Sequence, residues 1–250
     1  MKRLALIYFN VVFYLLLVPF TLLAVPVFAL FLVGVTVFFP RRVVMRRLRR
    51  CISWYGWIVI RVLPFPFIRI RYHEAAPSPE PGPHLFVCNH RSFSDPFLMA
   101  VLPGECIQIV NIWPFRLPVW GIVARLAGYL SIRQMPVEDF YAEASRLLKE
   151  GCSMVAFPEG TRAKTRELGP FHGSVFRLAL QARASIVPIG ISGNERMPGR
   201  GSMVLHPGVI RVHRLPALKW DDYKDLSAFQ LKNRVRELIA REVAVMDGEE

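Results

Sequence analysis

The chain has 250 residues, enough for one α/β domain of moderate size and a short additional segment. It is 53% hydrophobic with a mean hydropathy of +0.32, so a single core of this size cannot enclose all the apolar surface, and part of that surface is expected to meet lipid. The net charge of +13 indicates an anionic partner. The high apolar content favours phospholipid and excludes nucleic acid as that partner.

Residues 4–39 contain no charged side chain. A straight helix of this length would measure about 54 Å, against about 30 Å for the hydrocarbon core of a bilayer. Pro19 and Pro26 are expected to break the helix near its middle. Basic residues flank the segment on both sides, which favours placing both ends on the cytoplasmic side. Residues 1–40 are therefore predicted to form a membrane-embedded helical hairpin. A single tilted span and a cleaved signal peptide are the alternatives.

Residues 41–65 begin with a cluster of arginines and continue with Trp54, Tyr55 and Trp57 among apolar neighbours. Cations at lipid head groups and aromatic rings at the boundary are typical of an interfacial helix. We therefore predict a basic interfacial helix. An ordinary core helix with a solvated basic end is the alternative.

Residues 66–250 alternate short apolar runs with helical patterns, which predicts an α/β domain with a mostly parallel sheet flanked by helices. Strands are predicted at residues 67–72, 85–88, 106–112, 129–132, 154–157, 186–191, 203–206 and 209–214. Helices are predicted at residues 96–102, 118–127, 137–149, 174–183 and 227–243. Ligands of such sheets bind beyond the carboxyl ends of the strands, and the candidate functional residues directly follow predicted strands.

His90 leaves a predicted strand, and Asp95 follows five residues later. An imidazole is a suitable general base near pH 7, and a carboxylate on its other nitrogen fixes the tautomer and stabilises the imidazolium. Asp95 before Pro96 also fits a helix N-cap, which is the structural alternative. No serine or cysteine lies in a nucleophile elbow. This combination suggests direct attack of a substrate hydroxyl on an activated acyl donor, such as a thioester.

The second motif is the turn at residues 157–162, where backbone N–H groups are exposed beside Thr161 and Arg162. This combination suits a phosphate, which arginine binds with a bidentate fork. A plain surface turn in which Arg162 pairs with Glu159 is the alternative.

These motifs together resemble the glycerolipid acyltransferase family, whose best-known members acylate 1-acylglycerol-3-phosphate. The resemblance covers four blocks in the family's order and spacing, namely His90-x4-Asp95, residues 128–133, residues 159–162 and residues 187–189. It implies that His90 is the base for the acceptor hydroxyl and that Asp95 holds it. It implies a head-group site formed by Glu159, Gly160, Thr161 and Arg162, with Arg133 facing the same cleft. Pro188 is expected in the wall of the acyl pocket, and Asn89, Arg91, Ser92 and Gly128 complete the motifs.

The resemblance implies transfer of a fatty acyl group from acyl-CoA or acyl carrier protein to the free hydroxyl of a lysolipid. The first expectation for the acceptor is 1-acylglycerol-3-phosphate, which would give phosphatidic acid. One departure is Asn111, since family members that act on this acceptor often carry a lysine in that segment. Another lysolipid such as lyso-ornithine lipid, or a non-catalytic lipid-binding scaffold, remains open.

The four cysteines show no paired or metal-ligand spacing, which predicts a reducing cytoplasmic environment for the main domain. No metal and no bound cofactor are expected. The partners are membrane lipids, the lysolipid acceptor and the acyl donor. We expect the chain at the inner or cytoplasmic membrane, with the catalytic domain on its cytoplasmic side.

Overall fold

The computed structural model describes residues 2–74, 82–99, 102, 104–116, 118–163, 167–199 and 201–248. The helices are α1 (Lys2–Phe38), α2 (Arg41–Trp57), α3 (Asp95–Met99), α4 (Pro118–Leu126), α5 (Val137–Lys149), α6 (Ser174–Ala182) and α7 (Ala228–Gly248). The strands are β1 (Ile68–Glu74), β2 (His84–Cys88), β3 (Cys106–Ile109), β4 (Ser153–Ala156), β5 (Ser185–Ser192) and β6 (Gly208–Arg214). A π-helical turn, Ile58–Val62, continues α2, and short 3-10 turns occur at Trp113–Arg116 and Trp220–Asp222.

The strands form one six-stranded sheet in the order β1-β6-β5-β2-β4-β3. All neighbouring strands are parallel except β5 and β6, which are antiparallel. The predicted α/β fold with a mostly parallel sheet is therefore confirmed. Because β2, β4 and β5 are mutually parallel, the residues that follow them emerge at the same edge of the sheet.

Both faces of the sheet are covered, as expected for parallel strands. Leu85 and Val87 of β2 pack with α5, α6 and α7, whereas Phe86 and Cys88 pack with α1, α3 and the π-helical turn. This alternation follows from the period of two along a strand. The central strand β2 is therefore buried on both sides, and its end is held rigidly where His90 leaves it.

Two predicted strands differ from the structure. Residues 203–206 are not a strand, because the backbone N–H and C=O of Leu205 are both bonded by the side-chain amide of Asn10 in α1. Residues 129–132 form only a single bridge, between Leu130 and Ile109, before the chain turns. In both places a partner distant in sequence decides the backbone hydrogen bonding.

The hairpin predicted within residues 1–40 is wrong. Helix α1 is continuous and includes Pro19 and Pro26, and the chain reverses only at residues 39–40 before it returns as α2. A proline removes one hydrogen bond from a helix, whereas a break in apolar surroundings would leave several backbone groups without partners. The hairpin that the structure does contain consists of α1 and α2, which were predicted as separate segments.

Contacts between α1 and α2 hold this hairpin together. The Thr21 hydroxyl lies 2.8 Å from the Tyr55 hydroxyl, and the ring of Phe20 stacks on that of Tyr55 at 5.4 Å between centroids. Near the turn, the guanidinium of Arg47 lies 4.7 Å from the ring centroid of Phe39. The predicted interfacial helix is thus the second arm of the hairpin.

Helix α1 exposes many large apolar side chains along its length, and by length and composition its residues 3–38 suffice to cross a membrane. Both of its ends nevertheless lie beside the α/β domain. At the N-terminal end, Phe9 and Phe13 are buried against the sheet. Just after the other end, Arg42 donates to the carbonyl of Glu150 at 3.1 Å. The helix therefore runs alongside the domain with one apolar side uncovered.

Candidate active site

The end of β2 places His90 against the first residue of α3. The Nδ1 atom of His90 lies 2.7 Å from Oδ2 of Asp95, and the Asp95 side chain is fully buried whereas 17% of the His90 side chain is exposed. Because a carboxylate only accepts hydrogen bonds, Nδ1 is the donor, and Nε2 is left as the basic nitrogen. This is the pairing that a general base requires.

Asp95 also accepts hydrogen bonds from the turn that joins it to His90. The peptide N–H groups of Arg91 and Ser92 donate to Oδ2 at 2.7 and 2.9 Å. These donors precede Asp95 in the chain, so its carboxylate closes the turn toward His90. The contacts fit the pairing role better than the alternative of a helix N-cap.

The second carboxylate oxygen of Asp95 accepts a hydrogen bond from Nδ2 of Asn194, which is fully buried. Asn194 follows β5 after Gly193, which adopts φ +80°. A Cβ at Gly193 would lie 2.2 Å from the backbone oxygen of Val209, so only glycine fits there. The sequence reasoning missed Asn194. Its signal was a polar residue two positions after a strand, at the same edge of the sheet as His90.

Asn89 and Ser92 hold the framework of this turn. The Asn89 amide donates to the carbonyl of Ile191 at 2.9 Å and accepts from the N–H of the same residue at 2.7 Å, which joins the ends of β2 and β5. The Ser92 hydroxyl donates to the carbonyl of Met197 at 2.9 Å. Both side chains therefore fix the turn that carries His90 to the end of β5 and the loop that follows it.

Glu159 bridges the turn after β4 to the turn after β2. Its carboxylate accepts the peptide N–H groups of His90 at 2.8 Å and Gly169 at 2.9 Å. Burial raises the pKa of the Glu159 carboxyl, and these two N–H bonds counteract part of that effect. Glu159 thus positions His90. Its carboxylate bonds to backbone N–H groups, and no described contact pairs it with Arg162, which was the alternative from the sequence.

The remainder of the turn at residues 159–163 packs against His90 and Asn111. The N–H of Ala163 donates to the carbonyl of His90 at 2.7 Å, and the Asn111 amide donates to the carbonyl of Gly160 at 3.2 Å. Thr161 is exposed. Arg162 is half-buried and has no ion-pair partner within the described ranges. The turn therefore offers a guanidinium and a hydroxyl beside the base.

Arg133 is exposed, and its peptide N–H lies 3.4 Å from the Ser131 hydroxyl. No described contact joins its side chain to the residues around His90. Its role at the cleft stays a prediction from the family motif.

Gly128 and Pro188 belong to the framework. Gly128 adopts φ +72° after α4, and a Cβ there would lie 2.8 Å from Cε of Met45, so its small size lets α2 pack closely. Pro188 is buried in β5 and shares a face with Gly190, whose hydrogen atoms face α7. Ile189 lies on the opposite face of β5, where it packs in the apolar cluster that includes residues of α1. Pro188 therefore does not line the apolar cavity between α1, α2 and α4, and its place in the wall of an acyl pocket stays a prediction.

An apolar cavity of about 740 Å³ lies between α1, α2 and α4. Its wall includes Phe97 of α3, two residues after Asp95, together with Leu48, Ile52 and Tyr55 of α2. Within the described part of the chain, no group of three or more His, Cys, Asp or Glu side chains is arranged to hold a metal ion. The site thus combines a base, a cationic turn and an adjacent apolar cavity.

Residues 69–192, about half of the chain, match the model of the Acyltransferase family. This range contains the His90–Asp95 pair, the turn at residues 159–162 and Pro188. The chain belongs to the acyltransferase family.

Among the curated relatives, the chloroplastic 1-acyl-sn-glycerol-3-phosphate acyltransferase of Arabidopsis thaliana is 32% identical over 160 residues, which are 62% of this chain and 45% of that protein. The alpha form of the Homo sapiens 1-acyl-sn-glycerol-3-phosphate acyltransferase is 30% identical over 178 residues, 68% of this chain and 62% of that protein. The chain thus spans about half the length of the first of these relatives.

A solved structure, that of the 1-acyl-sn-glycerophosphate acyltransferase from Thermotoga maritima, superposes with a TM-score of 0.77 at 18% identity. The match covers 99% of this chain and 98% of that one. The two chains therefore share a fold over nearly their whole length, including the segment that contains α1.

The buried position of Glu159 predicts a pH-dependent stability. Its pKa in the folded chain lies above the ordinary value of 4.5, so the folded state binds the proton more tightly than the unfolded chain does. This contribution to stability is present below the ordinary value and is lost as the pH rises through the raised pKa. Glu159→Gln removes this titration. We therefore expect the Tm of the variant minus the Tm of the wild type to increase as the pH rises from about 4.5 to 7.

Glu143→Gln is the control with the opposite sign. A hydrogen bond from Arg146 lowers the pKa of Glu143, so this group stabilises the folded chain above the ordinary value. The Tm of Glu143→Gln should therefore drop relative to that of the wild type as the pH rises toward about 4.5, and the difference should then change little between about 4.5 and 7. A constant Tm difference between Glu159→Gln and the wild type at every pH would contradict the assigned burial effect.

Proposed function

We propose that the chain is a lysolipid acyltransferase that transfers a fatty acyl group from acyl-CoA or acyl carrier protein to the free hydroxyl of 1-acylglycerol-3-phosphate. The product is phosphatidic acid. The observation that supports this most strongly is the His90–Asp95 pair, in which the carboxyl is fully buried and the imidazole is partly exposed. The names of the curated relatives point to the same acceptor.

In the proposed reaction, Nε2 of His90 takes the proton of the acceptor hydroxyl. At the same time the oxygen of that hydroxyl attacks the thioester carbonyl of the donor. The new ester C–O bond forms, the C–S bond breaks, and the departing thiolate recovers the proton from the imidazolium. Asp95 stabilises the imidazolium between these two steps. Neither substrate is oxidised or reduced, and no covalent acyl-enzyme is required.

The acceptor's phosphate is assigned to the turn after β4. Arg162 has no described ion-pair partner, so its guanidinium is available to an anion, and Thr161 adds an exposed hydroxyl. Asn111 lies beside this turn through its bond to the carbonyl of Gly160. It occupies the segment where a lysine was expected, and an amide there offers hydrogen bonding without a charge.

The apolar cavity between α1, α2 and α4 is assigned to a fatty acyl chain. Its lining is almost entirely hydrophobic, and Phe97 brings it within two residues of Asp95 in the chain. The ring of Tyr55 lies 6.4 Å from that of Phe97, which connects the cavity wall to the helix that carries Asp95.

The non-catalytic scaffold remains the main alternative from another class. A scaffold needs no buried carboxyl beside a partly exposed imidazole, whereas here Asp95 accepts from His90, Arg91, Ser92 and Asn194. The alternative acceptor, lyso-ornithine lipid, differs in its head group, so a panel of lysolipids separates it from lysophosphatidic acid.

We further propose that α1 lies along the surface of the inner or cytoplasmic membrane, with the catalytic domain on the cytoplasmic side. A helix of 37 residues measures about 55 Å, yet both of its ends lie beside the α/β domain. A spanning helix would carry one end across the bilayer, away from that domain. The exposed arginines of α2, such as Arg50, suit an anionic surface.

His90→Ala is expected to reduce acyl transfer by about 10²–10⁴-fold, because it removes the general base. The measurement uses the purified chain in mixed micelles with labelled acyl-CoA and a panel of lysolipids. His73→Ala, which changes an exposed histidine on β1, is the matched control and should retain wild-type transfer. Near-normal transfer by a folded His90→Ala protein would end the proposed mechanism, and no transfer by the wild type to any lysolipid would favour the scaffold.

Arg162→Ala is expected to raise KM for lysophosphatidic acid by about tenfold or more, since a charge-assisted contact is worth about 1.5–3 kcal/mol. Asn111→Lys should lower that KM, because it adds a charge beside the same turn. KM for acyl-CoA should stay unchanged in both variants. If Arg162→Ala instead raises only KM for acyl-CoA, the turn binds the phosphates of the donor.

The proposed orientation predicts that positions near both ends of α1 label from the same side of a membrane. Arg3→Cys and Arg41→Cys, which lies three residues after the end of α1, are expressed separately, and each should react with an impermeant thiol reagent in inverted vesicles and not in right-side-out vesicles. The wild type, with its four native cysteines, provides the background. Labelling of the two positions from opposite sides would show that α1 spans the bilayer.

A further inference from the structure

The side chain of Arg91 takes no part in the proposed proton transfer, yet only 2% of it is exposed. Its guanidinium forms two hydrogen bonds to the carboxylate of Asp247, at 2.9 and 2.8 Å, and a further ion pair with Glu195. Asp247 lies 156 residues further along the chain, in the last turn of α7. The C-terminal helix is thereby bonded directly to the residue that follows His90.

A carboxylate is an unfavourable group at this position in a helix. The C-terminal end of a helix carries partial negative charge, which favours lysine, arginine or histidine in the last turn. The last turn of α7 contains no basic residue. The Arg91 guanidinium provides the missing positive charge, so α7 and the turn after β2 stabilise each other.

Two other contacts hold the end of α7 in place. The hydroxyl of Ser192, the last residue of β5, donates to the Asp247 carboxylate. Met246 is fully buried, and a Cβ at Gly190 would lie 2.9 Å from its Cε. The glycine therefore permits the close approach of α7 to β5. The Asp247 carboxylate has little freedom to move away from Arg91.

The backbone of Arg91 controls the geometry of the catalytic pair. Its N–H donates at 2.7 Å to the same Asp95 oxygen that accepts from His90 Nδ1. The His90 peptide is already held by Glu159 at its N–H and by Ala163 at its carbonyl. The Arg91 side chain additionally anchors this turn to α7.

We infer that Asp247 is a positioning residue of the active site, which acts on His90 and Asp95 through its two-bond contact with Arg91. It touches no substrate. Its loss would let the Arg91 peptide rotate and would lengthen the hydrogen bonds that converge on Asp95. This inference rests on the acyl transfer proposed above. It makes the last turn of the chain's C-terminal helix part of the catalytic framework.

The test compares Asp247→Asn with Glu242→Gln in the full-length protein. Glu242 is the matched control, since it lies on the same helix, is similarly exposed (24% against 19%) and contacts His213 of β6 at 2.6 Å. For Asp247→Asn we expect kcat to fall about ten- to hundredfold, because small misplacements of a catalytic group have effects of that size. KM for both substrates should stay within about twofold of the wild type, since no binding contact is removed.

Two further variants complete the experiment. Asp247→Glu keeps the carboxylate and should recover part of the lost kcat. If Asp247→Asn does not fold, Ser192→Ala removes a single hydrogen bond to Asp247 and should lower kcat in the same direction by a smaller factor. A wild-type kcat in the Ser192→Ala protein would then overturn the inference.

The inference is also overturned by a wild-type kcat in folded Asp247→Asn, by a change confined to KM, or by an equal loss of kcat in Glu242→Gln. The last result would mean that any weakening of α7 lowers the rate through stability alone. These outcomes leave the proposed function intact, because the wild type remains active. A wild type that acylates no lysolipid removes the proposed function and this inference with it.

Discussion

The buried carboxyl group of Asp95 is the constraint on which the arrangement of the site depends. A polar group with no access to solvent is costly unless donors surround it, and Asp95 receives them from His90, Arg91, Ser92 and Asn194. Three of these donors come from the turn after β2, and the fourth comes from the loop after β5. Asp95 therefore joins two strands of the sheet while it orients the base.

The neighbouring groups secure this arrangement from several directions. Glu159 holds the peptide of His90 from the turn after β4, and Asn89 joins the ends of β2 and β5. The parallel strands deliver all of these residues to one edge of the sheet, which is why the α/β framework suits the chemistry. A distortion of β4 or β5 would be transmitted to the imidazole, because Glu159 and Asn89 bond the turn after β2 to the ends of both strands.

The helical hairpin of α1 and α2 relates this site to the membrane. The hairpin leaves an apolar face of α1 uncovered, and a large exposed apolar surface marks a site of interaction. On its inner side it encloses the apolar cavity, whose wall includes Phe97 of α3. The same two helices thus leave an apolar face uncovered on one side and border the proposed acyl site on the other. The buried Arg49 of α2 pairs with Glu105 and fastens the hairpin to the start of β3.

The sequence alone determined the local features. Alternating apolar runs predicted most strands and helices, and the spacing of His90 and Asp95 predicted their pairing, because five residues span only one tight turn. The uncharged N-terminus between basic flanks predicted membrane contact from composition. Only the tertiary structure decided which distant groups complete the site: Asn194 lies 99 residues from Asp95, and Asp247 lies 156 residues from Arg91. It also decided that Glu159 serves His90, that Pro188 faces α7 and that α1 pairs with α2. These outcomes depend on strand order and helix packing, which bring together residues whose separation along the chain carries no signal of contact.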